Sequence, residues 1–154
     1  MSVSRVASFA MASVVAALIV APRTAVHAQS SKRQVIIPEG QQASPTLSPA
    51  IRVGDMVYAS GQLGLQRSAP DTTIQGQTRV ALENTKKVLE AAGTTMANVV
   101  KCTVFLTDVK DFGGMNSVYR EFFPQNPPAR STVVVAALVS AGAKIEVECM
   151  AAMP

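Results

Sequence analysis

The stretch that decides the fold is NVVKCTVFLTDVKDFGGMNSVYREFFPQNPPARSTVVVAAL, residues 98–138. It opens with a run rich in β-branched residues, which favours a strand. A helix is predicted to begin near Phe112, with Asp108 or Asp111 as its cap, and to stop at Pro124. RSTVVVAAL then forms a second run of strand type. The stretch therefore predicts a strand, a helix and a strand in succession.

Outward from this stretch, the chain shows four more strands and one long helix. The strands are QVIIP, the two arms of AIRVGDMVYA and KIEVECMAA, with a turn at Gly54-Asp55 and a strand end at SGQ. The helix covers residues 71–93, where Asp71, Thr72 or Thr73 can cap the start and Gly93 the end. One stripe at helical spacing predicts its core face: Ile74, Ala81, Leu82, Thr85, Val88, Leu89 and Ala92.

This order predicts an α+β domain with a six-stranded mixed sheet. Two helices cannot cover both faces of such a sheet, so we expect both helices on one face. Val133 and Val135 alternate with Val134 and Ala136, which places apolar side chains on both faces of their strand. A sheet buried on both sides is most simply obtained by self-association.

Residues 1–28 have the composition of a secretory signal peptide. Arg5 precedes an apolar run, and small residues at Val26-His27-Ala28 predict cleavage after Ala28. An uncleaved membrane anchor is the alternative. The mature chain, residues 29–154, is then predicted to be a single domain, ordered from about residue 34, in a periplasmic or secreted protein.

The charge of the mature chain gives no support for nucleic acid or a membrane surface as a partner. Without Arg5 and Arg23, 12 Lys and Arg residues face 10 Asp and Glu residues, a formal net charge of +2. His27 is the one histidine and leaves with the leader. A mature chain without histidine cannot use a Ser-His or Cys-His nucleophile pair or a histidine-containing zinc site.

Two pairs of residues leave alternatives open. Cys102 and Cys149 lie in the middle of predicted strands and are interpreted as buried thiols, with a disulfide as the alternative. Glu146 and Glu148 share one face of the last strand, opposite Ile145. They form either a solvated face or a functional pair, and Arg130 offers one of them a partner.

Arg130 stands alone at the start of an apolar strand, in PPARSTVVV. It is either an exposed charge at a strand end or a clamp for an anion at the edge of a cleft. A guanidinium matches a carboxylate with two parallel hydrogen bonds, which favours the clamp. Tyr119 is interpreted as packing on its helix face.

Several segments together resemble the RidA/YjgF family of reactive-intermediate deaminases. They are RVGDMVYASGQ, QTRVALENTKKVLEAAG, the stretch at residues 98–123, PPARSTVVVAAL and KIEVECMA, and they span nearly all of the mature domain. The resemblance implies a chorismate-mutase-like fold, a homotrimer whose sheets line a central barrel, and clefts between subunits. It implies no cofactor and no metal.

The resemblance also implies site residues. Arg130 would hold a substrate carboxylate and Glu146 would position the attacking water. The other implied residues are Ser60, Gly61, Asn116 and Thr132, which would bind the substrate. Thr132 stands where the family often has Cys, and Leu47 stands nearest to an aromatic residue that usually covers the ligand.

The function implied is hydrolysis of enamine and imine intermediates, such as 2-aminoacrylate, to 2-oxo acids and ammonia. This chemistry agrees with the residues available, because an imine carbon is already electrophilic and needs no protein nucleophile. A non-catalytic trimer that binds small ligands or acts like a chaperone is the alternative, and the leader and Leu47 favour it. A ribonuclease ranks third, since histidine and a basic patch are both missing from the mature sequence.

Overall fold

The computed structural model describes residues 32–65 and 71–154. Within these ranges the strands are β1 (Gln34–Ile36), β2 (Ala50–Val53), β3 (Met56–Ala59), β4 (Gln62–Leu63), β5 (Val99–Leu106), β6 (Ala129–Val134) and β7 (Ile145–Ala152). The helices are α1 (Ile74–Ala91) and α2 (Phe112–Phe122), with short 3-10 turns at Met96–Asn98 and Val109–Asp111. The predicted leader, residues 1–28, lies outside the described residues.

The strands form one mixed sheet in the order β1-β2-β3-β7-β5-β6, with β4 paired to β7 beside this path. β5 and β6 are parallel, and α2 lies between them in the chain. The other pairs are antiparallel. The α+β class and the mixed sheet with two helices are confirmed. The short β4 adds a seventh strand where the sequence predicts a strand end and a loop.

The helices pack on one face of the sheet. Each predicted stripe residue of α1 is buried against that face, and Met115 and Tyr119 of α2 join the same core. α1 begins where Thr73 accepts a hydrogen bond from the backbone N–H of Gly76 at 3.1 Å. It ends before Gly93, whose φ of +85° favours glycine. Among the described residues, no helix is long and apolar enough to cross a membrane.

β6 is shorter than its sequence predicts. The apolar run continues to Leu138, but the strand ends at Val134. Its register partner on β5 is Leu106, which is the last residue of β5. Beyond Leu106, β5 has no further residues with which β6 could pair. The last hydrogen bond between the two segments runs from the Val135 N–H to the Leu106 carbonyl, at 2.8 Å.

The two cysteines form a disulfide, so the interpretation as separate thiols is wrong. β5 and β7 are neighbours in the sheet, and their register places Cys102 directly opposite Cys149, with 4.1 Å between the Cα atoms. Both side chains are buried. The sequence did not show this pairing because the two residues are 47 positions apart and their relation depends on strand order.

Candidate functional site

Arg130 lies on the side of the sheet that faces the helices. On β6 it is opposite Cys102 of β5, and directly opposed residues point to the same side. Its guanidinium carbon is 4.5 Å from the ring centre of Tyr119 and 5.8 Å from that of Phe112. Its Nη1 is 3.7 Å from the sulfur of Met115. The half-buried arginine therefore rests on α2.

Arg130 also lines a cleft of about 550 Å³ between α2 and the segment that leads into β6. The residues that line this arginine cleft are Asn116, Tyr119, Arg120, Phe123, Pro127, Pro128 and Arg130. The structure thus brings together two predicted site residues, Arg130 and Asn116. The lining carries two guanidinium groups and no carboxylate, so the cleft can attract an anion.

Tyr119 closes the inner wall of the arginine cleft. It is 5% exposed, and its ring is 4.7 Å from that of Phe123. Burial raises the pKa of Tyr119 to about 12, and the charge of Arg130 opposes this shift. Its hydroxyl is buried and has no hydrogen-bond partner among the described residues. The tyrosine therefore stays neutral and contributes mainly its ring.

Thr132 lies two residues after Arg130 and on the same side of the sheet. It faces Val104 of β5, which is fully buried. The hydroxyl oxygen of Thr132 is buried without a hydrogen-bond partner among the described residues. Thr132 does not line the arginine cleft. Its contact with a ligand stays a prediction.

Ser60, Gly61 and Glu146 form a second group. Ser60 is held by two hydrogen bonds, from its N–H to the Pro49 carbonyl at 2.9 Å and from its hydroxyl to the Ser48 carbonyl at 2.7 Å. The Cα of Gly61 lies against the carboxylate of Glu146. These three predicted residues are therefore assembled at the start of β4, beside β7. Leu47, in the loop between β1 and β2, is 58% exposed.

Glu146 and Glu148 share the sheet face away from the helices, as predicted. Glu146 is opposite Phe105 of β5, and Glu148 is opposite Thr103. A hollow of about 330 Å³ on this open face is lined by Tyr58, Ser60, Lys101, Thr103, Glu148 and Met150, among others. Apolar side chains remain exposed here, including Tyr58 at 43% and Met150 at 39%.

Arg130 and Glu146 therefore lie on opposite faces of one sheet. The suggestion that Arg130 offers a carboxylate of the last strand a partner is wrong within one chain. Alternation along β6 and β7 gives the reason, since Arg130 shares its side with Cys102 and Cys149, while Glu146 shares its side with Phe105. The predicted site is thus divided into an arginine half and a glutamate half.

The aromatic contacts of Arg130 were missed in the sequence. Phe112, Met115 and Tyr119 follow the spacing of one helix face, and of these three only Tyr119 is interpreted from the sequence, as packing on that face. Helical spacing also places Asn116 next to this face, and this could be predicted from the sequence. The close contact between α2 and β6 could not be predicted from the sequence, because it depends on how the helix crosses the sheet.

Comparisons with known proteins agree with this fold. The family model described as endoribonuclease L-PSP matches residues 40–153. The crystal structure of Escherichia coli TdcF with bound serine matches with a TM-score of 0.71 at 34% identity, covering 79% of this chain and 99% of that one.

Curated relatives match over most of their length. The mitochondrial protein mmf2 of Schizosaccharomyces pombe is 43% identical over 106 residues, which is 67% of this chain and 84% of mmf2. The 2-iminobutanoate/2-iminopropanoate deaminase of Rattus norvegicus is 41% identical over 107 residues, which is 68% of this chain and 77% of the rat protein. The chain therefore belongs to the RidA/YjgF family, whose model carries the endoribonuclease L-PSP description.

Proposed function

We propose that this protein hydrolyses 2-imino acids, and the enamines in equilibrium with them, to 2-oxo acids and ammonia. The arginine cleft carries the proposal, since the Arg130 guanidinium lines it beside Asn116 and has no ion-pair partner among the described residues. The relatives named as imine deaminases support the same chemistry. The substrate class is a small imine that bears a carboxylate.

In the proposed reaction, the substrate carboxylate binds Arg130. A water molecule positioned by Glu146 adds to the imine carbon, and its oxygen forms the new C–O bond while a proton passes to nitrogen. The tetrahedral product then loses ammonia as the C–N bond breaks, which leaves the 2-oxo acid. One water is consumed and no electrons are exchanged, so the protein needs only to orient the substrate, the water and the proton acceptor.

We further propose that the working site lies between two subunits of a trimer. Arg130 and Glu146 cannot face one ligand within a single chain, because they lie on opposite faces of the sheet. The arginine half of one subunit and the glutamate half of the next would complete it. Exposed apolar residues on β6 and on the open face, such as Val133, Val134 and Met150, support burial by self-association.

A trimer that binds small ligands without turnover is the second candidate. Leu47 favours it, because this position offers no aromatic ring to cover a bound imine. The ligand in the crystal structure of Escherichia coli TdcF is serine, an amino acid rather than an imine. The two candidates share a cleft and differ in catalysis.

The proposed place of action is outside the cytoplasm, with residues 1–28 as the leader and 29–154 as the single mature domain. The disulfide between Cys102 and Cys149 supports this proposal, since such bonds persist in oxidising compartments.

The test is a coupled assay that generates 2-aminoacrylate in situ and follows ammonia or pyruvate. Arg130→Ala should lower kcat/KM by roughly 10- to 150-fold, because a hydrogen bond to a charged group contributes roughly 1.5–3 kcal/mol. Arg130→Lys keeps the positive charge but loses the planar guanidinium, so its kcat/KM should lie between those of the wild type and Arg130→Ala. Arg79→Ala is the control, since Arg79 lies on α1 and pairs with Glu121 at the surface.

The outcome separates the candidates. If the wild-type protein does not exceed the rate in buffer with several amino-acid precursors, but binds serine or 2-oxobutanoate in calorimetry, the non-catalytic trimer is supported. If Arg130→Ala leaves turnover intact on an intact trimer, Arg130 is only a charge at a strand end.

A further inference from the structure

We propose that Tyr119 and Phe112 of α2 are positioning residues, which form an aromatic bracket that orients the Arg130 guanidinium toward its ligand. The proposal rests on the proposed function, because it assigns Arg130 the role of binding a carboxylate. It adds two residues to the site, and the role proposed for both is exerted through Arg130.

The contacts of Arg130 define the bracket. The guanidinium carbon is 4.5 Å from the Tyr119 ring centre and 5.8 Å from that of Phe112, both within the range of a cation–π attraction. In residues 32–65 and 71–154, ion pairs join Arg79 to Glu121 and Lys144 to Asp111, and none involves Arg130. The described neighbours that hold this cation are therefore aromatic rings.

Rings suit this task better than a carboxylate would. A carboxylate partner would occupy the N–H donors of Arg130 and compete with the carboxylate of a ligand. An aromatic ring attracts the cation through its face and leaves the N–H donors free. The Met115 sulfur is a weak acceptor and takes only Nη1, at 3.7 Å. The bracket thus fixes the orientation of the Arg130 guanidinium and leaves its N–H donors free to bind the carboxylate of a ligand.

Burial and exposure separate the two aromatic residues from ordinary core packing. Phe112 is 43% exposed in the single chain, so burial within its own chain does not account for a phenylalanine at this position. Tyr119 is buried, yet its hydroxyl has no hydrogen-bond partner among the described residues. Its tilted contact with the Phe123 ring, with 4.7 Å between ring centres, supports the ring under Arg130. In both residues the part in contact with Arg130 is the ring.

The experiment compares Phe112→Leu, Tyr119→Leu and Tyr119→Phe in the trimer of the mature chain, residues 29–154. Binding of 2-oxobutanoate is measured by calorimetry, and KM and kcat are measured in the coupled assay. Phe112→Leu should weaken binding by about two- to fivefold, and Tyr119→Leu by up to about 30-fold, the factors expected for exposed and desolvated cation–π contacts. Tyr119→Phe keeps the ring and should recover most of the affinity that Tyr119→Leu loses.

A double-mutant cycle separates positioning from structure. In an Arg130→Ala background, Phe112→Leu and Tyr119→Leu should have no further effect on binding, because the group they orient is gone. Effects that persist undiminished in this background would overturn the proposal, and so would wild-type affinity in both leucine variants. Because Tyr119→Leu removes a core residue, the half-exposed Phe112 provides the variant that folds.

The same measurements distinguish this proposal from the proposed function. If the wild-type protein binds 2-oxobutanoate without hydrolysing imines, the proposed deaminase activity fails and the cycle still tests the bracket by binding. If the wild-type protein neither binds 2-oxobutanoate nor turns over imines, both proposals are overturned. If the wild-type protein binds 2-oxobutanoate and hydrolyses imines, but the leucine variants bind as the wild type does, only the proposal of an aromatic bracket is overturned.

Discussion

Gly61 and Glu146 lie so close together that a methyl group on Gly61 would overlap the Glu146 carboxylate. Gly61→Ala should therefore displace the carboxylate, which can move because it ends a flexible side chain. The free energy of unfolding should change by less than about 1 kcal/mol, while kcat falls by up to about 100-fold, the cost of misplacing a reacting group. Thermal unfolding and the coupled assay measure the two effects.

The matched control for this change is Gly113→Ala. No atom lies within 4 Å of a Cβ added at Gly113, and alanine favours the first turn of α2. This variant should keep wild-type stability or gain slightly. A Gly61→Ala protein with wild-type kcat would show that the placement of Glu146 does not govern the reaction.

Mixing two impaired variants should recover part of the activity. If each site combines Arg130 of one subunit with Glu146 of another, Arg130→Ala and Glu146→Gln trimers should each be impaired. Unfolding and refolding them together at equal concentration should give about one quarter of the wild-type sites, assuming random assembly. Each variant refolded alone is the control. No recovery in confirmed mixed trimers would overturn the proposal that each site combines these two residues from neighbouring subunits.

Reduction of the disulfide should lower stability. Loss of the Cys102–Cys149 bond is expected to cost about 2–4 kcal/mol, since it closes a loop of intermediate length. Thermal unfolding with and without a reductant measures the change, and the double variant Cys102→Ala, Cys149→Ala should not respond to the reductant. Free thiols in protein unfolded without reductant would contradict the bond.

One of the two tyrosines should ionise at about pH 12, and Tyr119→Phe should remove this step. Burial raises this pKa above the ordinary value of 10.0, so the folded state keeps the proton while the unfolded state loses it. Stability should therefore fall between pH 10 and about 12, where the folded state binds more protons. Phenolate absorbance in the near ultraviolet follows the titration.

The Arg130→Ala variant provides a second check on this titration. Because the Arg130 charge lowers the pKa of Tyr119, its removal should shift the ionisation of Tyr119 upward. A downward shift would show that the loss of burial on removing the Arg130 side chain outweighs the loss of its charge.

The mature protein from the organism that makes it should begin at or near Gln29. The sequence pattern of residues 1–28 predicts cleavage after Ala28. N-terminal sequencing measures this directly. A soluble cytosolic chain that starts at Ser2 would contradict the leader, and a full-length chain in the membrane fraction would support the anchor alternative.

Local patterns predicted the elements well. The stripe of α1, the Gly54-Asp55 hairpin and the alternation in β7 each depend on residues close in the chain. The two-residue β4 was missed because Gln62 and Leu63 are too few to show a period. The end of β6 at Val134 was missed because it is set by the length of β5.

In the candidate site, too, local sequence patterns predicted the parts but not their arrangement. Each half was predicted from its own motif, and the structure assembles Arg130 with Asn116 and Gly61 with Glu146. The separation of the halves onto opposite faces follows from sheet register between distant strands. The contact of Arg130 with Tyr119 follows from the crossing of α2 over β6, which no local pattern encodes.

The disulfide has a consequence for a chain cut by a protease. The bond links Cys102 to Cys149, so α2, Arg130 and Glu146 all lie within one covalently closed ring, while Ser60 and Gly61 lie outside it. The segment between β6 and β7 belongs to this ring and carries Val139, which is 94% exposed. A cut there opens the ring without releasing a fragment, so the nicked chain keeps both halves of its site on one molecule until it is reduced.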